Sequence, residues 1–204
     1  MFTGLIEAVG RVAGVAQRAA GLRLRIDTTL AAGLEPGASV AVNGVCLTAV
    51  EVGAGHVDCD VGPETARVTT LGALRDGEPL NLERPMRADG RFGGHFVQGH
   101  VDGTGRLTRI RADGDAHWLT VSFGAALAPY LVPKGSVAVD GISLTVAALA
   151  EGTFDVMIVP YTWDHTNLGA RREGDAVNLE CDMIGKYVVR TADLVARADT
   201  SRYR

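Results

Sequence analysis

The sequence predicts an all-β protein in which two similar units follow each other and a single helix comes last. Three observations support this prediction. A ten-residue stretch at Ser39–Thr48 recurs at Ser136–Thr145. The 204 residues include 26 glycines and only 5% aromatic residues, and Val and Thr alternate often with other residues, which is typical of short strands joined by tight turns. In Met183–Ala198 the apolar residues recur at three and four positions, the spacing of an amphipathic helix.

Each copy of the repeated stretch predicts a β-hairpin. The copies read SVAVNGVCLT and SVAVDGISLT, and Asn-Gly or Asp-Gly between apolar runs favours a type I′ turn, in which both central residues need positive φ. Pairing the strands around Asn43-Gly44 places Val42 opposite Val45 and Ser39 opposite Thr48, because opposed residues share a face. The second copy pairs in the same way.

The predicted pairing gives each hairpin two different faces. The first face is wholly apolar and predicts a core, with Val40, Val42, Val45 and Leu47 in one copy and Val137, Val139, Ile142 and Leu144 in the other. The second face is small and able to hydrogen-bond, with Ser39, Ala41, Cys46 and Thr48 in one copy and Ser136, Ala138, Ser143 and Thr145 in the other. Such a face suits either solvent or a flat ligand laid across the sheet.

Further strands and one short helix are predicted around the first hairpin. LRLRI at Leu22–Ile26 alternates strictly, as a half-exposed strand does. Pro63 and Glu64 suit a first helical turn and Gly72 an end, so that a short helix is expected between them. The other predicted strands are Ile6–Val15, His56–Val61 and Leu80–Glu83.

The second unit repeats the first at a nearly constant offset. Residues 39–83 and 136–180 share 20 identities in 45 positions without a gap, whereas unrelated sequences would share about one in fifteen. Upstream the offset falls from 97 to 95, so that Gly4 matches Gly99 and Ile6 matches Val101. The two units are therefore expected to share one fold.

Two segments lie outside the repeat. RPMRADGRFGG at Arg84–Gly94 has the Pro, Gly and charge content of a linker between the units. The predicted helix at Met183–Ala198 would be marginal alone at about fifteen residues, so its apolar stripe needs a partner. Packing against its own barrel and self-association around a symmetry axis both remain open.

Composition excludes several classes of protein. The net charge is −4 and both signs are interspersed, so nucleic acid is not an expected partner. The N-terminal MFTGLIEAVG has no basic segment and no apolar core of signal length, and no run of eighteen apolar residues occurs, so we expect a soluble cytoplasmic protein with no membrane partner.

Cys46, Cys59 and Cys181 are an odd number without CxxC spacing, which argues against a disulfide framework and a zinc site. His95 and His100, five apart on a predicted strand, would face opposite ways, so no metal is expected.

Several stretches together resemble the riboflavin synthases, a family built from lumazine-binding repeats, and the resemblance covers essentially the whole chain. These stretches are MFTGLIE at Met1–Glu7, CLT at Cys46–Thr48, SLT at Ser143–Thr145, GGHFVQGHVDGTG at Gly93–Gly105 and NLECDMIGKYV at Asn178–Val188. Each motif would be weak by itself, whereas their combination is highly specific.

The resemblance implies an all-β fold of two similar six-stranded Greek-key barrels in tandem, followed by a C-terminal α-helix. It places the first lumazine-binding barrel at residues 1–86, a linker at 87–94, the second barrel at 95–183, and a trimerisation helix with its tail at 184–204. The chain would form a homotrimer, with each reaction site between the N-terminal barrel of one subunit and the C-terminal barrel of another. Nothing in the sequence indicates whether it associates with lumazine synthase.

The implied reaction is a dismutation, the last step of riboflavin biosynthesis. One 6,7-dimethyl-8-ribityllumazine molecule donates a four-carbon unit to a second, which gives riboflavin and 5-amino-6-ribitylamino-2,4-pyrimidinedione. No metal or redox cofactor would take part. Two like substrates need two like pockets, and this requirement supplies a reason for the duplication.

The resemblance also implies two sets of substrate-binding residues. The N-terminal pocket would use Gly4, Leu5, Ile6, Ser39, Cys46, Leu47, Thr48, Asp60, Val61, Gly62, Pro63, Glu64 and Thr65. The C-terminal pocket would use Gly99, His100, Val101, Ser143, Leu144, Thr145, Met157, Ile158, Val159, Pro160, Tyr161 and Thr162, with Lys134 reaching the substrate bound across the interface. Several members of both sets also lie on the small hairpin faces, namely Ser39, Cys46, Thr48, Ser143 and Thr145.

Four of these residues are candidates for the chemistry. His100, with an ordinary pKa of about 6.5, suits proton transfer. Cys46 is the candidate nucleophile, although a thiol with an ordinary pKa of about 8.5 is mostly protonated at neutral pH. Ser143 and Thr145 would orient the partner ring. The alternatives for His100 and Cys46 are a histidine packed beside the linker and a buried structural cysteine.

Three other functions compete with this interpretation. A non-catalytic lumazine or flavin-binding protein would share the architecture and hold a fluorophore without turning it over. A flavin-dependent reductase on a similar barrel would need a nicotinamide-binding domain, and no GxGxxG opens a helix after a strand in this sequence. A duplicated interaction module would bind no lumazine.

Overall fold

A computed structural model describes residues 1–201 of the chain, and the last three residues of the predicted tail, 202–204, lie outside the described part. The first unit is a closed barrel with the strand order β1-β2-β5-β4-β3-β6, in which non-sequential neighbours give a Greek-key connection. Its strands are β1 Ala8–Arg18, β2 Gly21–Asp27, β3 Ser39–Val42, β4 Val45–Gly53, β5 His56–Val61 and β6 Pro79–Glu83. The predicted short helix is present as α1, Pro63–Val68.

The second unit is a curled sheet of seven strands in the order β10-β9-β13-β7-β8-β12-β11. Its strands are β7 Gly103–Asp113, β8 Ala116–Ser122, β9 Ser136–Val139, β10 Ile142–Thr145, β11 Ala148–Ala150, β12 Thr153–Ile158 and β13 Ala176–Cys181, with helix α2 at Pro160–Asp164. The extra strand arises because the counterpart of β4 is split. In β4 the register shifts between Ala49 and Glu51, and at the equivalent place the second copy breaks between β10 and β11. The predicted all-β tandem fold is confirmed, with one interrupted strand in its second half.

Both predicted hairpins form with the predicted register. Ser39 pairs with Thr48 and Val42 with Val45, and the second copy pairs identically. Asn43 and Gly44 have φ of 45° and 76°, and their counterparts have 45° and 80°, which are the positive values that a type I′ turn needs. The apolar faces pack into two separate cores, one in the closed barrel and one in the curled sheet, which is called the second barrel from here on.

The small hairpin faces differ from the expectation of an open surface. Ala41 and Ala138 are buried in a third, small cluster between the barrels, together with Phe2 and Val97, and Cys46 packs at its edge. The cluster forms because the segments that precede each barrel, around Phe2 and around Val97, lie between the two hairpins. Only the outer part of each small face therefore remains open to a ligand.

A buried polar network also joins the two barrels. The Asn81 side-chain amide donates to the Asp140 carbonyl at 3.0 Å, and its counterpart Asn178 donates to the Asn43 carbonyl at 2.8 Å. Each asparagine thus reaches from the last strand of its own barrel to the hairpin turn of the other. Arg171 pairs with the fully buried Asp140 carboxylate at 2.6 Å, which supplies the counter-charge that a buried carboxylate needs.

The predicted C-terminal helix is α3, Met183–Ser201. Its first turns contact the 3-10 helix Ala125–Tyr130 of the second barrel. Most of the predicted apolar stripe is nevertheless uncovered within the described part of the chain, and its exposed members are Ile184, Tyr187, Val188, Leu194 and Val195. No helix within residues 1–201 is both long and apolar enough to span a membrane.

Candidate functional site

The segments that precede the two barrels lie side by side and antiparallel. The Phe2 amide donates to the Val97 carbonyl at 2.7 Å, and the Val97 amide donates back to the Phe2 carbonyl at 3.2 Å. Each segment then continues over the hairpin of the opposite barrel. The two segments therefore exchange places between the barrels.

Backbone hydrogen bonds fix this exchange on both sides. The Ser143 amide donates to the Gly4 carbonyl at 2.8 Å, and the Cys46 amide donates to the Gly99 carbonyl at 2.9 Å. Gly4 and Gly99 have φ of 77° and 79°, and a Cβ on either would lie 2.5–2.6 Å from the Cβ of the residue beneath it. Only glycine allows a backbone to turn and to approach this closely.

The exchange corrects the predicted grouping of the site residues. Ile6 packs against the core of the second barrel, and Val101 packs against the core of the first. Ile6 also lies outside β1, which begins two residues later, contrary to the predicted strand. The family resemblance grouped Gly4–Ile6 with the N-terminal pocket and Gly99–Val101 with the C-terminal pocket, whereas in the structure each segment contacts the hairpin of the other barrel.

The first candidate face consists of the Cys46 end of the first hairpin, residues 99–101 and residues 60–65. Cys46 is half-buried and Thr48 is exposed, whereas the side chains of Leu47 and Val61 lie in the core, so only their backbones are available to a ligand. Asp60 forms two hydrogen bonds with Arg23, at 2.8 and 3.0 Å, and the pKa of this carboxyl is lowered by them. Gly99 is buried, and the other members are exposed or half-buried, namely Ser39, Gly62, Pro63, Glu64, Thr65, His100 and Val101.

The second candidate face consists of the Ser143 end of the second hairpin, residues 4–6 and residues 157–162. Its exposed apolar side chains are Leu5, Met157, Val159 and Tyr161, and Tyr161 is 72% exposed. Ile158 points into the core, and Leu144 also packs against it. Thr145 and Pro160 are exposed, and Ile6, Ser143 and Thr162 are half-buried. Apolar side chains beside a few small hydroxyl groups are the usual lining of a small-molecule site.

Lys134 lies next to the second face in an unusual backbone conformation. Its φ is 66°, and the equivalent position of the first barrel is Gly37, with φ of 92°. Its amide donates to the Val146 carbonyl at 2.8 Å, and its Nζ lies 3.4 Å from the Ala147 carbonyl. A lysine held where the chain favours glycine is strained, and such strain is frequent at functional positions.

His95 is the functional candidate that sequence reasoning missed. Its Nδ1 lies 2.7 Å from the Ser143 hydroxyl oxygen, and the side chain is only 6% exposed. Burial lowers the pKa of His95, although Asp182 opposes the shift, so the imidazole is neutral at neutral pH. The predicted strand through His95 and His100 is absent, because the chain turns at Gly99, and His100 is exposed. The Gly93-Gly94 pair just before His95 was the available signal, since a Cβ on Gly94 would lie 3.1 Å from the Ser143 hydroxyl oxygen.

The three cysteines differ in accessibility. Cys59 and Cys181 are buried in the two cores, and burial raises the pKa of each thiol to about 12, so both are unreactive. Cys46 is half-buried at the first candidate face. It is therefore the one thiol of the three that a reagent or ligand can reach.

A cavity of about 610 Å³ lies beside the linker. Of the predicted site residues it contains only Leu5, and its other lining includes Glu7, Arg84 and Arg87. The cavity therefore meets the second candidate face only at Leu5.

Comparison with known proteins agrees with this architecture. The family described as "Lumazine binding domain" matches the chain twice, at residues 3–85 and 98–182. The fold and its two small-residue faces therefore define a protein of two lumazine-binding domains in tandem.

Relatives in sequence identify a more specific family among proteins with lumazine-binding domains. Riboflavin synthase of Actinobacillus pleuropneumoniae is 42% identical over 92% of this chain and 88% of its own length, and that of Bacillus subtilis (strain 168) is 42% identical over 93% and 89%. Riboflavin synthase of Mycobacterium tuberculosis is 43% identical over 93% of this chain and 97% of its own. The chain belongs to the riboflavin synthase family.

Solved structures support the fold. LumP complexed with riboflavin superimposes with a TM-score of 0.84, and LumP complexed with 6,7-dimethyl-8-(1'-D-ribityl) lumazine with 0.81. Each comparison covers 89% of this chain and 99% of the other, at 21% identity. At this identity the similarity establishes the fold alone.

Proposed function

We propose that this protein is a riboflavin synthase that converts two 6,7-dimethyl-8-ribityllumazine molecules into riboflavin and 5-amino-6-ribitylamino-2,4-pyrimidinedione. The observation that carries the proposal is the similarity to riboflavin synthases over nearly the whole of both chains. The duplicated small faces add a physical reason, since a reaction between two copies of one substrate needs two similar binding surfaces. The atoms of the two substrates equal those of the two products, so the transfer needs no external oxidant or reductant.

Positioning supplies the largest part of the catalysis in this proposal. Holding two rings in register lowers the barrier by about 7–11 kcal/mol, because the entropy of bringing them together is already spent on binding. Proton transfer adds a factor of about 10²–10⁴. The two barrels each hold one ring, against Cys46 and Thr48 on one side and against Ser143 and Thr145 on the other.

The candidate chemical groups have separate roles. The neutral His95 imidazole accepts the Ser143 proton at Nδ1 while the Ser143 oxygen takes a proton from the ring bound at the second face, so that one proton passes from the ring to the imidazole and Ser143 remains a hydroxyl. Cys46 is the candidate nucleophile at the first face, and the exposed His100, which follows Gly99 over that face, exchanges protons there. Thr145 orients the second ring. Replacing Cys46 and His100 separately by Ala tests these two roles at the first face. Wild-type kcat in both variants would contradict the roles.

The same proposal includes assembly into a homotrimer. The candidate faces are open surfaces of one chain, so the N-terminal face of one subunit needs the C-terminal face of another to enclose a ring pair. The exposed apolar stripe of α3 offers a surface for self-association. Three free cysteines without a disulfide are compatible with a reducing compartment such as the cytoplasm, where we propose that the protein works.

The alternative is a non-catalytic lumazine-binding protein, favoured by the structural similarity to LumP. Incubating the purified protein with the lumazine and identifying products by chromatography and absorbance separates the two functions. An enzyme yields riboflavin and the pyrimidinedione in equal amounts. A pure binder changes the fluorescence of the lumazine and yields no riboflavin, which would refute the proposed reaction.

A further inference from the structure

The last strand of each barrel ends with the same three residues, Asn-Leu-Glu. The asparagines join the barrels, as described above, and the leucines lie in the two cores. The glutamates, Glu83 and Glu180, are almost completely buried, with 4% and 2% exposure. A carboxylate at this depth is costly unless its hydrogen bonds are satisfied, so its partners indicate what it does.

Both carboxylates accept hydrogen bonds from the exchanged segments. Glu83 accepts from the Thr3 amide at 2.7 Å, the Thr3 hydroxyl at 2.8 Å and the Gly4 amide at 2.9 Å. Glu180 accepts from the Gln98 amide at 2.7 Å and the Gly99 amide at 2.9 Å. Charge-assisted bonds of this length are among the stronger ones in proteins. Each carboxylate therefore fixes two successive amides at the point where the segment leaves its own barrel.

The next contact of each segment is with the other barrel. Gly4, held by Glu83, accepts from the Ser143 amide, and Gly99, held by Glu180, accepts from the Cys46 amide. A short chain of contacts thus runs from the last strand of one barrel to the candidate face of the other. Gly4–Ile6 and Gly99–Val101 are also the residues that the family resemblance assigns to substrate binding.

We propose that Glu83 and Glu180 are positioning residues that act across the boundary between the barrels. Glu83, in the N-terminal barrel, sets the face around Ser143, and Glu180, in the C-terminal barrel, sets the face around Cys46. The proposal rests on the proposed function only in that these faces bind the two lumazine rings. Its distinctive consequence is that a change in one barrel impairs the binding face of the other.

Isosteric substitution tests the proposal on the full chain. Glu→Gln keeps one acceptor oxygen and turns an N–H donor toward a backbone N–H, which disrupts the hold on the segment without leaving a cavity. Cys46 reports on its own face because the other two thiols are buried. Without ligand, Glu180→Gln should raise the rate of Cys46 alkylation about tenfold, the effect of losing one charge-assisted hydrogen bond, and Glu83→Gln should leave this rate unchanged.

The mirror experiment uses a reporter on the other face. In a Cys46→Ser, Ser143→Cys background, the alkylation of residue 143 should be faster with Glu83→Gln and unchanged with Glu180→Gln. Circular dichroism of each variant establishes folding. Should Glu83→Gln fail to fold, the milder Thr3→Val, which removes only the hydroxyl bond to Glu83, should raise alkylation at residue 143 and not at Cys46.

Two results would overturn the positioning roles. One is an equal effect of both glutamate substitutions on the alkylation rate of each reporter cysteine, which would indicate a general loosening of the fold. The other is a faster alkylation of the reporter in the same barrel as the substituted glutamate. The labelling is done without substrate, so it is independent of the reaction. A wild-type protein that makes no riboflavin would refute the proposed function and leave the labelling pattern intact. With substrate present, Glu180→Gln should weaken the protection of Cys46 by lumazine, and Glu83→Gln should not.

Discussion

Replacing His95 by Gln tests the chemistry assigned to the second face. His95 Nδ1 is 2.7 Å from the Ser143 hydroxyl oxygen. Gln places an amide near the same position, so it can still hydrogen-bond but cannot accept a proton as a base. The substitution therefore separates orientation of Ser143 from proton transfer.

The size of the effect follows from this geometry. Loss of a positioned base costs about 10²–10⁴ in rate, which corresponds to about 2.7–5.4 kcal/mol in the barrier. The KM for lumazine should change little, because the buried imidazole lies behind Ser143 and offers almost no surface to a ligand. The loss should thus appear in kcat.

The assay is a double-mutant cycle. Riboflavin formation is measured for His95→Gln, for Ser143→Ala and for both together. Residues that act as one unit are non-additive, so the double variant should be no slower than the slower single variant. Because burial lowers the pKa of His95, any acid limb that it imposes on kcat should lie below pH 6.5 and disappear in His95→Gln.

Two outcomes would contradict the assignment. Wild-type kcat in His95→Gln would show that proton transfer does not use this imidazole. Fully multiplicative losses in the double variant would show that His95 and Ser143 act separately. Glu151→Gln, in the exposed turn between β11 and β12, is a control that should leave both parameters unchanged.

Three further predictions concern stability and assembly. Arg171→Leu leaves the buried Asp140 carboxylate without its counter-charge and should lower the free energy of unfolding by about 3–5 kcal/mol. Adding Asp140→Asn recreates the Asn and Leu found at the equivalent positions of the first copy and should recover most of this loss. If urea unfolding showed no recovery, the pairing would be contradicted. The stability that comes from keeping His95 neutral is complete above its unfolded pKa of about 6.5 and should be lost as the pH falls toward its lowered folded pKa. The free energy of unfolding should therefore fall with decreasing pH more steeply in the wild type than in His95→Gln. Equal slopes in the two proteins would refute this prediction. Truncation before Ile184 should abolish the proposed trimer in sedimentation, and a truncated trimer would show that α3 is not the organiser.

The sequence predicted the features that depend on local sequence alone, namely the hairpin register and the C-terminal helix. The hairpin register followed from Asn43-Gly44 and from the two-residue alternation of its strands, and the structure has the predicted pairs. The C-terminal helix followed in the same way from its spacing. A turn of known type and a strict period leave few alternatives, which is why these predictions were reliable.

The exchange of segments was not predictable from the duplication. Gly4 and Gly99 need the same positive φ and the same close approach whether each covers its own barrel or the other. Internal repetition therefore identified the equivalent residues but not the partner of each. His95 was missed for a related reason, since it precedes the stretch in which the two copies align and had no counterpart to draw attention to it.

The exchanged segments also bear on how such a protein is built. The segment that covers the hairpin of each barrel comes from the other barrel. The tandem chain is therefore equivalent to a domain-swapped dimer whose two halves are covalently joined. A lone half would expose Ala41 or Ala138 and the edge that carries Cys46 or Ser143. Once two such halves depend on each other in this way, neither copy can be deleted without uncovering the other, and the duplication becomes a permanent feature of the architecture.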